Sequence, residues 1–76
     1  MTELQIDWHR DGETVVGGCE VLPHAMALIV PTHWGKCALR VYSHGELKHD
    51  REFSNVDAAK EAAGMVMRLL MIREAV

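Results

Sequence analysis

Cysteine and proline are scarce in this chain, with two of each among 76 residues, and no apolar stretch is long. Cys19 and Cys37 are too few for a disulfide framework, so reduced thiols in a cytoplasmic protein are expected. No run approaches the roughly 18 apolar residues that a membrane span needs. The opening residues, Met1 to Gln5, lack the basic start and apolar stretch of a secretory leader, and none is expected. Gly17-Gly18 lacks the glycine spacing and the following Lys-Ser/Thr of a phosphate-binding loop. Repeats, linkers and low-complexity segments are missing too.

What remains is enough for one domain, residues 1–76. Apolar residues make up 49% of the chain, which is ample for a core. A chain this short buries only about 60–65% of its unfolded surface, so association would help it. Net charge is −3, unevenly spread. Residues 1–20 carry five acids and one base; residues 21–53 carry four bases, three acids and four histidines. A nucleic-acid binder usually shows a strongly basic face. The balance here favours protein partners.

Ile6 and Trp8, with Leu4 before them, alternate with polar residues, as in a half-buried strand. Asp11-Gly12 then marks a turn, and Thr14-Val15-Val16 opens a second strand, giving a hairpin over 4–22. Gly17-Gly18 inside it points to a bulge or a close backbone approach. Pro23 is expected to end that strand. Ala25–Val30, apolar throughout and bounded by Pro23 and Pro31, reads as a buried strand. A further strand over 37–43 follows. A three-residue loop, Ser43-His44-Gly45, would pair Val41 with Leu47 and put Leu39, Val41, Leu47 and Phe53 on one core face.

A helix is expected from Ser54-Asn55-Val56-Asp57 onward, with Ser54 as its N-cap and Phe53 stapled on Ala58. Its apolar residues recur at 56, 59, 63, 66, 67 and 70, and 69, 72 and 76 widen the stripe. The fold class is therefore α+β: an antiparallel β-sheet of four to five strands packed on one C-terminal α-helix. Met65, Met67, Leu69, Leu70, Met71 and Ile72 exceed what one small sheet needs, which points to a homodimer through the Met-rich helix end.

The histidines invite a metal reading, through His33 with Cys37 or His44 with His49. Zinc needs three or four converging ligands, and these spacings lack a tight Cys-x-x-Cys knuckle, so neither metal nor cofactor is expected. No spacing assembles a nucleophile, a base and an orienting group, so no enzyme is expected either. The outward sheet face is the best candidate surface. Arg40, Tyr42, Glu46, Lys48 and Asp50 would point from it, with Arg40 and Lys48 nearly opposite each other. Trp34, in the turn His33-Trp34-Gly35, either caps the core or stands exposed as an anchor. The expected partner-binding residues are Arg40, Tyr42, Lys48 and Trp34.

The residues Trp34, Arg40-Val41-Tyr42, Gly45-Glu46-Leu47, Phe53-Ser54, Asp57-Ala58-Ala59-Lys60 and Ala62-Ala63 carry a resemblance. Their run resembles small bacteriophage and prophage accessory proteins with a sheet-plus-helix plan. It is also similar to the AP2-like arm-binding modules of phage integrases. The first resemblance implies a protein that binds a host protein, as inhibitors of bacterial defence such as anti-CRISPR proteins do. The second implies DNA contact through Arg40, Tyr42 and Lys48. Glu46, Asp50 and Glu52 intrude on such a face.

Overall fold

The computed structural model describes residues 5–74; Leu4 and Val76 of the expected stripes lie outside them. Five strands run in chain order: β1 (Ile6–Asp11), β2 (Thr14–Cys19), β3 (Leu22–Pro31), β4 (Cys37–Ser43) and β5 (Glu46–Phe53). Helix α1 (Val56–Glu74) follows. The strands form one antiparallel sheet in the order β1-β2-β3-β4-β5, and α1 packs on β3, β4 and β5. This is the expected α+β fold.

Strand alternation builds the core. Val15, Cys19, Ala25, Ala27, Ile29, Cys37, Leu39 and Val41 all turn to the helix side and are buried. From the helix come Ala59, Ala63 and Met67, all with no exposed surface, and Leu70. The two alanines leave only methyl groups between backbone and sheet, so the helix can lie close to β3 and β4.

Beside the start of the helix, Trp8 covers the first hairpin. It pairs with Gly17 across the ladder, and a Cβ on Gly17 would lie 2.5 Å from the indole. Gly17 therefore makes the close approach, while the register shift falls after Gly18. Lys60 of α1 closes over the ring, with Nζ 5.8 Å from its centroid.

Four details differ from expectation. β2 ends at Cys19, and β3 begins at Leu22 and runs through Pro23. Proline is tolerated there because the register shift leaves it outside the ladder pairs with β2. The β4–β5 turn has two residues, not three: Ser43 pairs with Glu46 and Tyr42 with Leu47. His44 (φ 54°) and Gly45 (φ 77°) both take the left-handed conformation of a type I′ turn. A bulge between Val41 and Tyr42 on the ladder then restores parity, pairing Val41 with His49 and Cys37 with Phe53. Phe53 thus reaches the core side, and Leu47 is left on the opposite face, 47% exposed.

The third difference is the helix cap. Asn55, not Ser54, caps the helix: its Oδ1 accepts from Ala58 N at 2.8 Å. The chain is one residue further on before its first helical position, Val56, and Asn caps as well as Ser. Fourth, with Asn55 as the cap, Phe53 lies two residues before it and no longer holds the N′ position of a staple; it packs against the core cluster.

Candidate functional site

The helix covers one face of the sheet only. On the other face the register aligns Val16 with Leu28, Met26 with Tyr42, and Tyr42 with Leu47. Val30 continues the row beside Ala38. Met26 and Leu47 are exposed; Val16, Leu28, Val30 and Tyr42 are half-buried by their neighbours. The apolar run of β3 thus has two destinations. Ala25, Ala27 and Ile29 enter the core, while Met26, Leu28 and Val30 form the middle of an uncovered face. A strand apolar on both sides is the pattern of one buried on both sides.

Charges rim this apolar centre. Arg40 stands beside Leu28 and opposite Asp50, and its Nε lies 3.7 Å from Asp50 Oδ1. The expected opposition of Arg40 and Lys48 does not occur, because the shorter turn and the bulge together move Asp50 into that place. Lys48 is the bulge residue, with no single partner on β4, and its Nζ lies 3.3 Å from Glu46 Oε2. At the other end of the sheet, Lys36 Nζ lies 3.8 Å from Glu52 Oε1, and Thr32 donates to Glu52 Oε2 at 3.1 Å. Each of these cations therefore already has a carboxylate.

The four expected site residues do not converge. Arg40 and Tyr42 share the open face, and Lys48 borders it at the bulge. Trp34 stands apart. At ~3.3 Å per residue, Tyr42 is roughly 17 Å along β4 from Cys37, the strand end beside the Trp34 turn. That turn is a second type I′: Trp34 (φ 58°) and Gly35 (φ 75°) are left-handed, and Lys36 N donates to His33 O at 3.1 Å. Trp34 is 96% exposed, which resolves the choice between core cap and exposed side chain.

Sequence reasoning overlooked Met26, Leu28 and Leu47 as surface residues. Their signal was the unbroken apolar run itself, once it is known that only one face is covered.

The histidines separate. His44 stacks on His24, with ring centroids 4.5 Å apart, at the turn end of the sheet. His49 is on the helix side of β5, its Nε2 buried with no hydrogen-bond partner among the described residues. Among those residues, no group of three or more His, Cys, Asp or Glu side chains could hold a metal ion. Both cysteines are buried and free. Burial pushes the Cys37 thiol above its ordinary value, and the negative charge of Glu52 adds to the effect.

An open cleft of about 240 Å³ lies between β1, β2 and the start of α1, lined by Trp8, His9, Arg10, Val15, Val56 and Lys60. It is below the usual range for a small-molecule pocket. None of the described helices is long and apolar enough to cross a membrane. No family model, no curated protein and no solved structure matches this chain.

Proposed function

We propose that this chain is a non-catalytic binding module that docks on a protein partner through the helix-free face of its sheet. The observation that carries this reading is the apolar row Met26–Tyr42–Leu47, with Leu28 beside it, left open at the centre of a charged rim. An apolar, aromatic centre ringed by polar groups is the anatomy of a protein–protein contact. Tyr42 and Arg40 are residue types that carry binding energy disproportionately.

The rim also bears on the choice of partner. Arg40, Lys48 and Lys36 are each matched by a carboxylate within 4 Å, so little unneutralised charge faces outward for a phosphate backbone. That supports a protein partner over DNA. The resemblance to phage accessory proteins makes a bacterial host protein the first partner to seek, with inhibition of its activity as the expected result.

A pull-down from bacterial lysate, with and without nuclease and read by mass spectrometry, tests the proposal. The expected result is a protein that survives nuclease and is lost with Tyr42→Ala or Met26→Glu. Proteins that vanish on nuclease treatment would overturn it in favour of DNA contact. Capture that ignores both substitutions would also overturn it.

A further inference from the structure

Helix α1 has two apolar faces. Ala59, Ala63, Met67 and Leu70 form the one buried on the sheet. Met65, Leu69 and Ile72 form another, exposed by 66%, 59% and 57%. The Met-rich end read as one surface in the sequence is therefore split, with Met67 and Leu70 turned in and these three turned out. Ala58 and Ala62 extend the outer row to positions 58, 62, 65, 69 and 72. The spacing is four-three-four-three, which is the seam of a heptad repeat. Lys60 leaves the opposite flank of the helix to reach Trp8, so the seam lies on the flank remote from β1.

We propose that a second copy of this chain covers the seam, giving a homodimer whose two α1 helices pack antiparallel. This surface is separate from the open sheet face. Its charges choose the orientation. Glu61 and Arg68 are exposed and border the seam on the same side, four residues before and three after Met65. Arg73 borders it on the other side. In an antiparallel pair each border meets its own counterpart, so each Glu61 faces the partner's Arg68, twice over by symmetry. In a parallel pair each border meets the opposite one, five residues on. Arg68 would then face the partner's Arg73, again twice, and like charges would repel.

Side-chain size agrees with charge. The front half of the seam is small (Ala58, Ala62) and the rear half large (Met65, Leu69, Ile72). Antiparallel packing sets small against large along the contact. Parallel packing would put alanine on alanine and leave the helices unevenly spaced.

Sedimentation of the full chain across a concentration series tests this. The expected dimer mass is 17.0 kDa, twice the 8.5 kDa of one chain. Leu69→Glu alters a side chain exposed in the monomer, so it leaves the circular dichroism unchanged and weakens association by more than ~30-fold. Glu61→Arg and Arg68→Glu each weaken it several-fold, and the two together restore it. A single 8.5 kDa species at every concentration overturns the proposal, as does a dimer that Leu69→Glu leaves intact. An association that Arg68→Glu alone strengthens overturns the antiparallel arrangement.

Discussion

Replacing Trp34 by asparagine is expected to make the protein more stable. Trp34 occupies the first central position of its turn at φ 58° and is 96% exposed. The left-handed conformation costs an ordinary L-residue about 1–2 kcal/mol, because Cβ crowds the following carbonyl. Asparagine tolerates that region far better. Since the indole buries almost nothing, its removal forfeits little, and a gain of about 0.5–1 kcal/mol is expected. For a domain of this size, 1 kcal/mol moves Tm by about 4–8 °C. Thermal denaturation followed by fluorescence is the assay, since Trp8 then remains as the sole tryptophan. Trp34→Val serves as the opposite arm: a β-branched residue at positive φ is worse placed, so Tm should fall. A Tm for Trp34→Asn at or below that of the parent would refute the reasoning, because it would mean the exposed indole stabilises the fold.

Asn55→Ala should cost about 1 kcal/mol in chemical denaturation, and Ser54→Ala much less, because among the described residues it is the Asn55 side chain that bonds the helix start; equal losses would contradict this cap. Gly17→Ala should cost about 1–3 kcal/mol, since a methyl 2.5 Å from the indole forces Trp8 to move, and a quenched or shifted Trp8 emission should accompany it. The raised thiol of Cys37 makes stability pH-dependent. The folded state holds that proton more tightly than the unfolded chain, so its contribution is complete below 9.0 and is lost as pH rises through the folded value. Denaturation at about pH 8 and about pH 10 should show a fall that is smaller in Cys37→Ala; identical slopes would count against the shift.

Periodicity made most of the architecture legible. Alternation at Ile6 and Trp8 and the 3.6-residue stripe of α1 report burial directly, and the apolar block before Pro31 reports a strand. The β4–β5 register was not legible, for a physical reason. Hydrophobic parity identified Phe53 as a core residue but could not tell whether the extra residue sat in the turn or in the strand. A three-residue loop and a two-residue turn followed by a bulge at Lys48 both bring Phe53 to the same side. They differ in the fate of Leu47, which the structure leaves outside. The candidate surface suffered similarly. Arg40 and Tyr42 could be read as outward from alternation alone. The outward half of β3 could not, because an unbroken apolar run does not say which of its faces the helix will cover. Trp34 was visible as a turn residue, but its exposure depends on a left-handed turn that pattern does not encode for tryptophan.

The strictly sequential order of the sheet has a kinetic consequence. Every ladder joins neighbours in the chain, so no long loop must close before a strand finds its partner, and the entropic barrier to assembly is small. Refolding should be fast for a mostly-β protein. Opening should be graded, because α1 packs mainly on β3, β4 and β5. The β1–β2 hairpin is held by the β2–β3 ladder, by Val15 and Cys19 in the core and by Trp8. Its outer strand β1 pairs on one side, so β1 amides should exchange with solvent sooner than those of β3 and β4 while the rest stays folded.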